Sequence, residues 1–306
     1  MVFRFVLPRL LPAWGAFLCS FIGLTGLAQA TTGLYQDTLF AARANPSGVV
    51  VHSSFELRHQ LYSSTSKVLE DNFLAPALRI GISPANASLG AAFIVQPLSI
   101  LSLWAELRGN QYFGTFRRLQ SFGEITANFS DEVQSRRAEA NRHYSTLGLQ
   151  AFVGGVLQLK LGRFAWRSSF RGLWQDFELA DGQPYFYESE LDVLVRNRGW
   201  TIAGDSDFFY FAGERLIVGL RHALVTPLYT KASCEERACP KGNQRLGPLV
   251  GWRLISREKG SGPVEDVLLI GMVSWYLEHT YRAGQVTAQG VPYVALALKF
   301  SGWAWS

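Results

Sequence analysis

A long alternation of apolar and polar residues, from Ser145 to Leu161, is the feature that most constrains the fold of this chain. Polar residues and glycines occupy most of the positions between the apolar ones, and the alternation holds for seventeen residues. Successive side chains of a β-strand point to opposite faces, whereas a helix repeats every 3.6 residues, so no helical stripe reproduces this pattern. The apolar positions are Leu147, Leu149, Ala151, Val153, Leu157, Leu159 and Leu161.

The same period of two recurs along most of the chain. Turn-forming residues, such as Asp181-Gly182-Gln183-Pro184 and Ala283-Gly284-Gln285, separate the segments, as expected between strands. The pattern therefore predicts an all-β protein. The alternating segments are Val51–Tyr62, Leu74–Ile82, Ile100–Tyr112, Tyr185–Arg198, Leu216–Leu224, Leu246–Arg257, Asp266–Arg282 and Tyr293–Ser301.

The stretch "RFAWRSSFRGLW", from Arg163 to Trp174, places an arginine at every fourth position. Four residues approximate a helical turn, which would give a basic amphipathic helix, but four residues are also two strand repeats. Gly172 and the neighbouring strands favour the strand. On a strand, one face carries cations and the opposite face carries aromatic rings. The cationic face holds Arg163, Arg167, Arg171 and Gln175, and the aromatic face holds Phe164, Trp166, Phe170 and Trp174.

The strands are longer than those of soluble sandwiches, and several carry aromatic residues near an end. Strands that cross a bilayer need about nine to eleven tilted residues, with aromatic girdles at both interfaces. One uncharged segment, 80–105, has the length of a transmembrane helix, but Pro84 and Pro97 interrupt it. The C-terminal "VPYVALALKFSGWAW" is similar to the aromatic-ended last strand of outer-membrane barrels. We predict a transmembrane antiparallel up-and-down β-barrel of about 12 strands, with 10 to 14 allowed.

The N-terminus has the pattern of a secretory signal peptide. Two arginines precede an apolar run from Leu10 to Leu27, and Ala28-Gln29-Ala30 forms a small-residue cleavage site, so residues 1–30 are predicted to be removed. Residues 31–48 are predicted to be a periplasmic N-terminal segment, and 49–306 a single barrel domain with a long loop at 114–143. The expected location is the outer membrane of a Gram-negative bacterium, with its lipid bilayer and the barrel-assembly machinery as partners.

Composition limits the other classes of function. The net charge is +5 and falls to about +3 without the two signal-peptide arginines, which gives no electrostatic argument for nucleic acid. Cys234 and Cys239 remain after cleavage, and in an exported chain they predict a small-loop disulfide. Two cysteines with no histidine nearby make a poor metal site, so neither a metal nor any other cofactor is predicted.

The segment from Asn45 to Pro97 resembles the start of the long-chain fatty-acid transporter family of outer-membrane barrels. The resemblance rests on "NPSG" at Asn45–Gly48 and on "PALRIGISPANASLGAAFIVQP", with its turn at Ser83–Asn86. It implies a hydrophobic ligand and passive uptake. The chain is shorter than that family expects, and Thr31–Ala44 shows no N-terminal hatch.

The charged faces of the predicted strands would point into the barrel lumen. Two interpretations stay open: these charges pair across strands and fill a structural or docking barrel, or their basic excess draws small solutes, anions among them, through a pore. The pore or passive transporter is favoured. Besides the cationic face of the "RFAWRSSFRGLW" stretch, the predicted lumen-lining residues are Arg58, Arg108, Glu188, Glu190, Asp192, Arg196, Arg221 and Arg253.

An enzyme is the least favoured alternative. His52, Ser54 and Glu56 lie two residues apart on one strand face, and a nucleophile–base pair of an outer-membrane hydrolase needs such groups. Neighbours two apart on a strand point in parallel, however, and need not converge. No catalytic residues are therefore assigned.

Overall fold

The computed structural model describes residues 32–229, 239–240, 242–258, 261–283 and 291–305. Within these ranges the chain forms fifteen strands and one α-helix. The elements are β1 (Thr32–Ala44), β2 (Gly48–His59), β3 (Phe73–Ile82), β4 (Asn86–Leu98), β5 (Leu101–Phe113), β6 (Ser121–Phe122), α1 (Asp131–Glu139), β7 (Ser145–Leu161), β8 (Phe164–Phe177), β9 (Tyr185–Glu188), β10 (Val193–Arg196), β11 (Gly199–Ala212), β12 (Leu216–Pro227), β13 (Asn243–Ser256), β14 (Asp266–Glu278) and β15 (Tyr293–Trp305).

Twelve of these described strands form a closed antiparallel barrel. Each barrel strand pairs with the next barrel strand along the chain, and β1 closes the ring by pairing with β15, with Ala41 opposite Ala297. Closure leaves no free sheet edge, which a strand in lipid could not tolerate. The predicted all-β, up-and-down barrel of about twelve strands is therefore confirmed.

The four longest connections between wall strands lie at one end of the barrel, and the fifth longest, 60–72, lies at the other end. Because the strands alternate in direction, Thr32 and Trp305 lie at the same end, here called the terminal end. The opposite end, the loop end, carries the connections 114–144, 178–198, 228–242 and 279–292. Cys239 lies at the loop end, but Cys234 is outside the described residues, so the disulfide stays a prediction. Residues 1–30, predicted to be the signal peptide, are also outside them.

Two boundaries differ from the sequence prediction. The segment 31–48, expected to precede the barrel, contains β1, a full wall strand hydrogen-bonded on both sides. Conversely, Tyr185–Arg198 was predicted to be a wall strand, but it folds into the short strands β9 and β10 of a separate three-stranded sheet with β6. The predicted number of about twelve strands is right, but its membership is not: β1 and β11 belong to the wall, and Tyr185–Arg198 does not.

The outer face of the barrel is apolar. Leucine, valine and phenylalanine side chains that alternate along the wall strands are about half exposed, for example Leu107 (54%) on β5 and Phe170 (54%) on β8. A continuous apolar belt of this kind is stable only against lipid. Among the described residues, no helix is both long enough and apolar enough to cross a membrane.

A charged substitution tests the lipid-facing side. Leu107→Arg, in the middle of β5, is expected to lower the free energy of unfolding in lipid vesicles by about 2–4 kcal/mol. The same change at the exposed strand end, Leu161→Arg, should lower it by only about 0–1 kcal/mol. Urea titration of tryptophan fluorescence in vesicles measures both. Equal costs at the two positions would contradict the assignment of Leu107 to lipid.

Candidate functional site: the barrel lumen

The three-stranded sheet β6–β9–β10 and α1 lie at the loop end and are together called the plug. One face of the sheet packs on inward-facing wall residues: Phe186, Val193 and Val195 share a buried cluster with Phe152 and Phe177. The opposite face, through residues such as Tyr187 and Leu194, packs on the segment before α1. A sheet covered on both faces is apolar at successive positions, as the plug strands are.

The predicted lumen residues of the Tyr185–Arg198 segment therefore belong to the plug and not to the wall. Glu188 is buried and accepts a hydrogen bond from Gln175 Nε2 at 2.8 Å. Glu190 lies on the turn between β9 and β10 and bonds to Arg171. Asp192 is buried at the start of β10, and Arg196 ends it.

A cavity of about 1110 Å³ fills the rest of the lumen. Its lining residues reach from Arg58, Phe73 and Gln96 at the terminal end to Pro84 and Asn86 at the loop end. All twelve wall strands contribute residues to this lining, and so does the plug segment 188–191. The lining of the cavity therefore extends over the length of the wall.

Cations outnumber anions on the cavity surface. Among the described residues that line it, nine are arginines and five are carboxylates. A surplus of guanidinium groups in a confined lumen attracts anions. The arginines are Arg43, Arg58, Arg79, Arg108, Arg118, Arg167, Arg171, Arg221 and Arg245, and the carboxylates are Asp37, Glu56, Glu188, Glu190 and Asp205.

On β3 and β5, one buried carboxylate holds two arginines, a group called the Glu106 triad. Glu106 Oε2 accepts from Arg79 Nη1 at 2.8 Å, and Glu106 Oε1 accepts from Arg108 Nε at 2.6 Å. The glutamate side chain is fully buried while both arginines are partly exposed to the lumen. The triad therefore presents one net positive charge to the cavity.

A second group of the same design, the Asp207 triad, lies on β8, β11 and β12. Arg221 forms a bidentate contact with Asp207, at 2.6 and 2.8 Å. Arg167 Nη1 is 3.8 Å from Asp207 Oδ2, and Asp207 is again fully buried. Only β7 separates the two triads on the short side of the twelve-stranded ring, and five strands separate them on the long side.

The predicted arginine series of the "RFAWRSSFRGLW" stretch divides among three environments. Arg167 and Arg171 line the cavity. Arg163 is exposed in the turn before β8 at the terminal end, because the strand begins one residue later. Gln175 is buried beneath the plug.

Of the other predicted lumen-lining residues, Arg58, Arg108 and Arg221 line the cavity. Arg253 instead contacts Asp266 on the neighbouring strand, at 3.0 Å.

Three residues that complete the triads were absent from the predicted site residues: Arg79, Glu106 and Asp207. Alternation alone could have found Glu106 and Arg79. Aromatic residues on both faces, at 208–211, hide the period of two in β11.

The serine of the considered hydrolase group is directed at a carboxylate. Ser54 Oγ donates to Glu56 Oε1 at 3.2 Å, so its single hydrogen does not point at His52. Glu56 in turn accepts from Arg58 at 2.8 Å. Among the described residues, no cluster of three or more His, Cys, Asp or Glu side chains could hold a metal ion.

The plug turn is held from the wall. Arg43 of β1 donates to the backbone carbonyls of Ser189 and Glu190, the latter at 2.8 Å. Burial alone would raise the pKa of Glu190, but the electrostatic influence of Arg171, His52 and Arg108 outweighs it and lowers that pKa to about 2. Glu190 is therefore ionised at neutral pH.

No protein-family profile matches the chain, and no curated protein matches it at a significant level. Solved structures of similar fold include the porin NanC, with 6% identity, 87% of this chain and 98% of that chain covered, and a TM-score of 0.38. The porin KdgM, solved with disordered oligogalacturonate, has 7% identity, the same coverages and a TM-score of 0.35.

The translocator domain of the autotransporter NalP from Neisseria meningitidis has 12% identity, 90% of each chain covered and a TM-score of 0.40. Barrels of different functions thus resemble this chain to the same limited degree. The similarity is one of barrel architecture and does not distinguish a solute, an activity or a family.

Proposed function

We propose that the protein is an outer-membrane pore that passes small anionic solutes by passive diffusion. The observation that carries the proposal is the arginine surplus on a cavity whose lining residues span the wall from one end to the other. In bacterial barrels both termini are periplasmic and the long loops are extracellular, so the loop end and the plug would face outward. Solutes would pass through the cavity, beside the plug.

The charged lining is unsuited to a long apolar ligand, because an apolar chain gains nothing from displacing water around guanidinium groups. The resemblance to fatty-acid transporters therefore gains no support from the lumen. The second candidate is a structural or docking barrel with a closed lumen. The plug's two buried clusters favour it, since they fix the plug firmly inside the wall.

Electrophysiology separates these candidates. The purified, detergent-folded protein is inserted into planar lipid bilayers, and the reversal potential in a KCl gradient gives the anion-to-cation permeability ratio. The pore predicts single-channel steps with a preference for chloride. An absence of steps from protein shown to be folded would reject the pore and support the closed barrel.

Arg167→Glu tests whether the lining arginines act on permeating ions. Replacing a cation by an anion in the narrow lumen is expected to lower the chloride preference several-fold. Arg163→Glu is the matched control, because it makes the same charge change four residues away, in an exposed turn outside the cavity lining. Equal permeability ratios in the two variants would contradict a path along the arginines.

A further inference from the structure

The plug turn carries a glutamate that occupies a cationic part of the cavity. Glu190 belongs to the loop between β9 and β10, and its side chain is 53% exposed to the cavity although it lies inside the barrel. Glu190 Oε1 accepts from Arg171 Nη2 at 2.9 Å. His52 and Arg108, on β2 and β5, line the same cavity.

This carboxylate differs from the other acidic groups that bind lumen arginines. Glu106 and Asp207 are fully buried in the wall behind their arginines, so they act as fixed counter-ions. Glu190 instead reaches toward Arg171 from the lumen side, on a segment that is not part of the wall. It approaches from the direction from which a dissolved anion would come.

The turn keeps its position without the carboxylate. Arg43 holds the backbone carbonyls of Ser189 and Glu190, and Glu188 Oε1 accepts from the Glu190 backbone N–H at 3.0 Å. These contacts do not involve the Glu190 side chain. Removing its charge should therefore free Arg171 and leave the turn in place.

We propose that Arg171, with His52 and Arg108 beside it, forms a binding site for solutes that bear a carboxylate, and that Glu190 is a tethered competitor for this site. The inference rests on the proposed pore for the route by which solute arrives. A solute carboxylate replaces the Glu190 carboxylate at Arg171, so binding is weakened by the local concentration of the tethered group. Weak, exchangeable binding is what conduction requires.

Propionate is the free analogue of the glutamate side chain and is therefore the probe. In wild type, propionate should reduce chloride current only at high concentration. Glu190→Gln should bind propionate about tenfold more tightly, since an effective millimolar competitor has been removed. Asp37→Asn is the matched control, because Asp37 lines the same cavity but pairs with Lys299, at 2.7 Å. It should leave propionate binding unchanged.

The double variant Arg171→Gln with Glu190→Gln should lose the tighter propionate binding of Glu190→Gln. This loss would show that the tighter binding depends on the Arg171 guanidinium. Equal propionate binding in wild type and Glu190→Gln, or an equal gain in Asp37→Asn, would overturn the proposal. Phosphate serves as a second probe. If Glu190→Gln increased the affinity for phosphate as much as that for propionate, the site would bind anions in general, and the carboxylate assignment would be overturned.

A binding measurement in detergent keeps the two proposals separate. Isothermal titration of propionate into folded protein reports the site whether or not the barrel conducts. Missing conductance with tighter propionate binding in Glu190→Gln would reject the pore and retain the site. Conductance without that difference would retain the pore and reject the site.

Discussion

Arg282→Gln is expected to release the plug and convert the channel to a larger, noisier conductance. Arg282 is buried and joins three loop-end segments. Its guanidinium contacts Asp192 of the plug at 2.7 Å, Asp131 of α1 at 2.8 Å and Asn45 of the β1–β2 turn at 2.7 Å. Glutamine keeps part of the side-chain volume but cannot satisfy three partners.

The penalty arises mainly at Asp192. Burial would raise the pKa of this carboxyl, but hydrogen bonds and charges from His279 and Arg282 lower it well below its ordinary value. Removing one partner of a buried ion pair costs about 3–5 kcal/mol, because the remaining charge is desolvated without compensation. We expect this loss in the stability of the plug. The stability of the wall should not change, because Arg282 does not link wall strands to one another.

Hydrogen exchange of the amides in β9 and β10 measures plug stability, and single-channel recording measures its consequence. Arg198→Gln is the control: it is the same substitution at the loop end, but in an exposed ion pair with Asp176. Such pairs contribute less than about 1 kcal/mol. Unchanged exchange in Arg282→Gln would show that the apolar clusters alone retain the plug.

Glu106→Gln is expected to have two opposite effects, lower stability and stronger anion preference. The carboxylate is fully buried and compensates both Arg79 and Arg108. Its loss leaves two guanidinium groups close together, at a cost of about 3 kcal/mol, the lower end of the range for a broken buried pair. The lumen gains one net positive charge, so chloride should be favoured over potassium more strongly than in wild type.

The double variant Glu106→Gln with Arg79→Gln restores the local charge balance. It should recover much of the lost stability and return the permeability ratio toward wild type, a coupling that a double-mutant cycle measures. Urea unfolding in vesicles and reversal potentials give the two readouts. Additive stability losses in the double variant would contradict the triad as a unit.

The alternation predicted the wall well because lipid on one side and a wet lumen on the other impose a period of two on every spanning strand. Ser145–Leu161 was predicted to be a strand and is β7. The sequence from Leu89 to Gly109 allowed one overlong strand or a tight hairpin at Gln96–Ser99, and the structure has a hairpin with its turn slightly later, at Ser99-Ile100. The long loop predicted at 114–143 contains β6 and α1.

The plug could not be predicted from alternation, because its strands are buried on both faces. "YFY" at 185–187 and "VLV" at 193–195 are apolar at successive positions, which is the signature of a covered sheet. The charges between them suggested a wall strand. The partners of Glu190 and Asp192 lie on distant segments, so spacing within the sequence carried no information about them.

The contacts of Arg282 also set an order of events during assembly. Arg282 lies 151 residues after Asp131 and 237 residues after Asn45, and the wall closes only when β15 reaches β1. Contacts between such distant segments form late, because loop closure must precede them. We therefore expect a folding intermediate in which neighbouring wall strands are paired but Arg282 does not yet hold the plug.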